Sequence, residues 1–247
     1  ESAEAYYGRG STYLDYDHYD EALTDFARAI ELDPDDSSAY SSSAEAYYSL
    51  GRFEEAIPFA TKALGFSAIR LETYIVRGLS YTEVKRYEEA LSDYTVYIEL
   101  KPNDEIGYFN RGNLHLSLER YEEALTDLDK AIELWPRYAK AYYDRSLAYY
   151  YLERYDEAIA SASLALELKT DFADSYVVRG LAYNALGRFD KSLADYTTVI
   201  AVDSANSFAY SHRARMYDID ERYNEALADY TAVIRIHPDD ARAHVDR

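Results

Sequence analysis

The chain has 247 residues, with 26 basic against 46 acidic side chains, a formal charge of −20 and no cysteine. That balance argues against nucleic acid as a partner, because binding there needs Lys and Arg to displace phosphate counterions, and against docking on an anionic membrane surface. Without cysteine there is neither a disulfide framework nor thiolate chemistry, and no apolar run approaches the roughly 20 residues of a spanning helix, so direct membrane insertion is not expected.

From the start of the chain, no charged-then-apolar leader opens the sequence, and a cytoplasmic setting is the expectation. A first residue Glu1 rather than Met suggests an excised or processed segment. Glycine and proline are scarce, at 9 and 5, which favours long helices with few turns. Tyrosine is abundant, with 29 residues, and so many large rings need a regular place to go.

Taken in chain order, similar segments begin at Tyr19, Phe53, Tyr87, Tyr121, Tyr155, Phe189 and Tyr223, each 34 residues after the last and with no insertion. The repeats run 3–36, 37–70, 71–104, 105–138, 139–172, 173–206 and 207–240, and 241–247 begins another. Within each, position 4 is tyrosine (Tyr6, Tyr40, Tyr74, Tyr108, Tyr142, Tyr176, Tyr210). Position 8 is small (Gly10, Ala44, Gly78, Gly112, Ser146, Gly180, Ala214), and position 11 is tyrosine except at His115. Spacing 4, 8, 11 follows one face of an α-helix. An aromatic at position 17, Ala or Ser192 at 20, a residue such as Phe26, Tyr94 or Leu128 at 24 and an aliphatic at 28 predict a second helix. Pro34, Pro102, Pro136 and Pro238 at position 32 end it.

These residues at this period make the chain resemble the tetratricopeptide repeat family over essentially its whole length. The resemblance implies an all-α, right-handed superhelical solenoid of stacked antiparallel helix pairs, one array over 1–247. The departures are local: Ala68, Thr170 and Ser204 stand in place of the proline, and Ala60 and Ala162 are small at position 24. Glycines recurring inside a helix cost about 1 kcal/mol each against alanine, so a partner helix comes close at position 8, with the small residue at position 20 as its expected facing surface.

Two charge patterns recur. Acidic pairs such as Asp20-Glu21, Glu54-Glu55 and Glu88-Glu89 open the second helices, where they complement the helix dipole. Arginine at position 7 (Arg9, Arg77, Arg111, Arg145, Arg179, Arg213) accompanies aspartate at position 23 (Asp25, Asp93, Asp127, Asp195, Asp229). Repeat two lacks both, carrying Ser43 and Phe59, and repeat five has Arg145 with Ser161. This covariation predicts an Arg–Asp bridge between the two helices of one repeat, beside position 8; the alternative is an arginine ladder that reads an acidic ligand. Repeat two, with Ser41-Ser42-Ser43, Pro58 and Gly65, is expected to stack more loosely. The array stops in a partial first helix, 241–247, whose Arg247 falls on position 7. With no polar capping helix, the natural protein continues or an uncapped end pairs with another copy as a homo-oligomer.

In the family, first-helix positions 2, 5, 9, 12 and 13 line a concave surface that commonly holds a peptide. Carried onto this chain, the resemblance implies a polar lining in repeats one, two and seven and an apolar one between. The candidate partner-binding groove is Ile75, Leu79, Ile106, Phe109, Asn113, Leu116, Lys140, Tyr143, Leu147, Tyr150, Tyr151, Val177, Leu181 and Asn184. Apolar surface beyond a core stripe marks an interaction site; packing against the next repeat is the alternative. The expected function is a protein-interaction scaffold whose partner is a protein or peptide, apolar with some basic residues to suit the acidic rim. Self-assembly, or service as the non-catalytic part of a larger protein, is the other reading. The carboxylate clamp with which some family members grip acidic chaperone tails is broken: Asn110 and Lys140 are in place, but Asp144 stands for the arginine, and Glu72 and Val76 replace the first pair. The scattered histidines His18, His115, His212, His237 and His244 have no metal-site spacing, and His115 is expected to be a packed one. No phosphate loop or nucleophile motif occurs, so no enzyme activity, cofactor or metal is expected.

Overall fold

The computed structural model describes residues 2–66 and 70–238. Ala68 and the partial helix over 241–247 with Arg247 lie outside the described residues. Fourteen α-helices follow one another among the described residues. They are α1 (Ala3–Asp15), α2 (Tyr19–Leu32), α3 (Ser37–Ser49), α4 (Phe53–Leu64), α5 (Glu72–Glu83), α6 (Tyr87–Leu100) and α7 (Glu105–Ser117). Then come α8 (Tyr121–Leu134), α9 (Ala139–Tyr151), α10 (Tyr155–Leu168), α11 (Ala173–Ala185), α12 (Phe189–Val202), α13 (Ser207–Ile219) and α14 (Tyr223–Ile236). Each odd helix is the first of a repeat and each even one the second. Two compact units divide the chain, residues 1–114 and 115–247, the division falling within α7.

The turn inside each repeat is uniform. The residue at position 15 takes a left-handed conformation: Asp17, Gly51, Lys85, Glu119, Glu153, Gly187 and Glu221 all have φ between 57° and 72°. Only two are glycine, so the others accept roughly 1 kcal/mol of strain. What holds them is the following backbone N–H, which donates back to the carbonyl at position 11, as from Arg86 to Tyr81 at 2.8 Å and from Arg154 to Tyr149 at 2.8 Å. This is the bond pattern that closes many helix C-termini.

Packing adds a second neighbour to the one expected for position 8. A Cβ added to Gly10 would stand 2.7 Å from the Phe26 ring, one on Gly78 2.6 Å from Tyr94, and one on Gly180 3.2 Å from Tyr196. The Cβ direction at position 8 therefore points at the large ring at position 24, while position 20 meets the same turn: Ser192 Oγ donates to the Gly180 carbonyl at 2.6 Å. Where position 24 shrinks to Ala60 or Ala162, position 8 carries Ala44 or Ser146, and volume is traded across the contact. The tyrosines at positions 4 and 11 are mostly half-buried, while Tyr94, Tyr97 and Tyr196 are fully enclosed. Burial pushes the pKa of all three phenols upward. On the first helices many of the enclosed residues are small, such as Ala39, Ala141, Ala148, Ala182 and Ala209, beside the larger Leu114, Val178 and Met216.

The Arg–Asp bridge is present and more elaborate than the pattern implied. Arg9, Arg77, Arg179 and Arg213 each donate two hydrogen bonds, from Nε and one terminal nitrogen, to both oxygens of Asp25, Asp93, Asp195 and Asp229, over 2.6–2.9 Å. The remaining nitrogen reaches position 25 of the preceding repeat. Arg77 donates to Thr61, Arg111 to Thr95, Arg179 to Ser163 and Arg213 to Thr197, at 3.0–3.1 Å. Arg145, lacking its aspartate, donates to Ser161 at 3.1 Å and to Asp129, again position 25, at 2.7 Å. The cation also lies near the rings of positions 4 and 11, as Arg77 does with Tyr74 and Tyr81 at 5.9 and 5.8 Å. In repeat two the ring of Phe59 takes that place, packing on Tyr40 and Tyr47 at 6.1 and 5.0 Å. That is why arginine and aspartate are lost together there: one aromatic fills the volume of an ion pair. Helix α4 continues through Pro58.

A second arginine, at position 16, also lies over the position-11 ring. Arg52, Arg86, Arg154 and Arg222 lie 4.3–4.6 Å from Tyr47, Tyr81, Tyr149 and Tyr217 and donate to the glutamate three residues on. The acidic helix starts are therefore partly ion-paired.

Two outcomes test this packing. Gly78→Ala forces the Tyr94 ring to move and is expected to destabilise the chain by about 1–3 kcal/mol. Gly8→Ala, in an exposed helix with nothing within 4 Å, should stabilise it by about 0.5–1 kcal/mol, both read by urea denaturation. Asp195→Ala leaves the Arg179 fork without its acceptors on a carboxylate site that is itself buried. A loss of about 2–3 kcal/mol is expected, with hydrogen exchange in α11 and α12 accelerating more than it does elsewhere. An Asp195→Ala chain as stable as the parent would remove the bridge from the account of the fold.

Candidate functional site

The candidate residues separate by unit. In residues 1–114, Ile75 and Phe109 at position 5 are buried, at 9% and 6% exposure, and Ser41 at the same position is closed by a 2.7 Å hydrogen bond with Thr73. Position 5 here serves packing, and these side chains present little surface. Leu79 and Asn113 are half-buried and Ile106 is exposed. Asn110, the clamp asparagine, donates to the Ile106 carbonyl of its own helix at 2.9 Å.

In residues 115–247 the picture differs. Tyr143, Leu147 and Tyr150 on α9 and Val177, Leu181 and Asn184 on α11 are all half-buried. The two helices touch each other, so the half-buried positions 5, 9 and 12 of repeats five and six make a candidate strip on α9 and α11, apolar except for Asn184. Val177 packs against the buried cluster of Tyr196, Val199, Ala209 and Met216, and Tyr143 rests on Phe172 at 5.0 Å. Leu116 is half-buried, Lys140 is exposed, and Asp144, which replaces the clamp arginine, is buried. Tyr151 is 55% exposed and stacks on Tyr121 with centroids 5.1 Å apart and planes at 14°.

Burial, then the charges of Asp174 and Asp144, push the Tyr143 phenol up to about 12. Tyr150 is raised by burial first and then by its neighbours Tyr155 and Tyr151. Tyrosine suits such a strip because it offers area and a polar tip at low entropy cost.

His115 sits half-buried with Nε2 4.0 Å from Asp127. His212 lies between the Tyr196 and Phe208 rings, at 5.4 and 4.1 Å, and burial lowers its pKa. Among the described residues no three His, Asp or Glu gather to hold a metal, and no helix is long and apolar enough to cross a membrane. The sequence reading missed the acceptors at position 25 (Thr61, Thr95, Asp129, Ser163, Thr197), although their 34-residue recurrence was a visible signal. It also missed Tyr121 and Tyr155 as neighbours of Tyr150 and Tyr151.

Fold and repeat pattern together define a helical-repeat solenoid. Models of the tetratricopeptide repeat match residues 3–36, 37–68, 71–104, 106–138, 139–172 and 177–241, and the chain belongs to that family. A comparison with curated proteins finds no match. Among solved structures, the chain is similar to the C-terminal part of a TPR repeat-containing protein from Cytophaga hutchinsonii. That pair is 18% identical over 97% of this chain and 98% of the other, with a TM-score of 0.79. A tetratricopeptide repeat protein from Parabacteroides merdae is 19% identical over 99% and 96%, with a TM-score of 0.72. YrrB, described as a TPR protein with an unusual peptide-binding site, is 21% identical over 89% and 96%, with a TM-score of 0.55.

The raised pKa of Tyr143 carries a pH consequence. The neutral phenol is favoured in the fold relative to the unfolded chain, where it ionises near pH 10. Its contribution to stability is complete below about pH 10 and is lost as pH rises through about 12. In an alkaline titration followed by NMR, the Tyr143 ring should ionise near pH 12, well above the ordinary phenol value of about 10, and Tyr143→Phe should flatten that part of the stability curve.

Proposed function

We propose that this chain is a non-catalytic interaction scaffold that holds an extended peptide or protein segment along the α9–α11 strip. The observation that carries the reading is that Leu147, Tyr150, Leu181 and Val177 remain half-open after the repeat core has housed its own side chains. Apolar area of this kind on a charged protein is the usual mark of a binding surface. The peptide-binding site named for the similar YrrB supports the class of partner. The chain's charge of −20 favours a segment that combines apolar anchors with basic residues.

Selection of displayed random twelve-residue peptides on the immobilised chain tests this. Enrichment of peptides with leucine-like anchors and basic residues is expected. Leu147→Glu and Leu181→Glu should each weaken the selected peptides roughly tenfold or more, the effect of losing about 1.5–3 kcal/mol of apolar burial. Selected peptides that bind both variants as tightly as the parent would remove the strip as the site.

A further inference from the structure

Four tyrosines of the second unit meet at one corner. Tyr121 at the start of α8 stacks on Tyr151 at the end of α9. Tyr151 meets Tyr150 edge-on at 5.7 Å, and Tyr150 reaches Tyr155 of α10 at 5.8 Å. Elsewhere the chain shows what its tyrosine faces take. The next ring back on α9, Tyr149, carries the Arg154 guanidinium at 4.6 Å, and Tyr217 carries Arg222 at 4.3 Å. Tyr183 has Lys191 at 5.4 Å. Among the described residues, no arginine or lysine stands over Tyr121, Tyr150, Tyr151 or Tyr155.

The electrostatic surroundings favour a cation as well. Ring faces are negative and attract ammonium and guanidinium groups. The Glu119 carboxylate acts on Tyr121 strongly enough to help raise its pKa, after burial. A leucine side chain could cover the same area but would gain nothing from this field. We propose that the Tyr121–Tyr151 stack is a subsite for the guanidinium or ammonium group of a bound segment, its face completed by Tyr150. The subsite extends the interaction strip proposed above, with Tyr150 common to both, and a segment lying along α9 brings a basic residue to the corner.

The probes are N-acetyl-arginine amide and N-acetyl-citrulline amide, alike in size and planar shape, the second neutral and carrying a carbonyl oxygen where the first has an NH2 group. The chain carries 3-fluorotyrosine singly at position 121, 149 or 151, and its fluorine spectrum is followed through titration. The fluorines at 121 and 151 are expected to shift saturably with the arginine probe, with at least about threefold weaker response to citrulline. The fluorine at 149, whose ring already carries Arg154, should respond less than either. Tyr151→Leu, at an exposed position, should abolish the response at 121, and Tyr151→Phe should keep it. Equal response to both probes, no response at 121 and 151, or an equal response at 149 would each overturn the subsite. This readout needs no peptide. A subsite that responds while peptide binding ignores Leu147→Glu removes the strip alone, and the converse result removes the subsite alone.

Discussion

The guanidinium at position 7 meets three surfaces at once, and the stacking of the repeats depends on it. Its fork closes on an aspartate of the same repeat, its third nitrogen reaches the preceding repeat, and its flat face lies near two tyrosine rings. Arginine is suited to this because its donors are fixed in a plane that fits a carboxylate and can still stack. A buried aspartate left alone would be costly, so one charge pair requires the whole constellation. Repeat two shows the other solution: Phe59 occupies the same space with no charge to satisfy.

The fold was legible in the sequence because its signal is written seven times. The two helices of each repeat and the same-repeat bridge follow from period, small residues and covariation. Two features were harder to read. At position 8 the facing small residue at position 20 was legible, but the ring of Phe26, Tyr94 or Tyr196 at position 24 was not, because spacing along one helix does not say which turn of another helix its Cβ direction meets. The tyrosines at positions 4 and 11 share one helix face in the sequence, which does not say how deep they lie. Many are half-buried because a guanidinium, not an aliphatic side chain, covers their faces.

The candidate site was legible only in part. Positions 5, 9 and 12 were carried from family resemblance, and sequence alone does not say how closely neighbouring first helices approach. In the first unit Ile75 and Phe109 are enclosed. In the second, Tyr143 and Val177 at the same position keep an open edge. The tyrosine corner involves position 17, a framework position in every repeat, and became distinctive only beside the additional Tyr150 and Tyr151 of repeat five.

The third nitrogen of each arginine gives the array a direction. Every repeat that carries this arginine brings a hook, and its predecessor holds the hydroxyl or carboxylate eye, so adjoining modules latch one way round. Arg213, latched onto Thr197 of the preceding repeat, keeps its side chain only 15% exposed. A duplicated module would fit between any such neighbours, since it brings one half of the latch and offers the other. Lengthening by whole units is thus built into the chemistry of a single side chain, which gives lineages of such proteins an easy route to arrays of different reach.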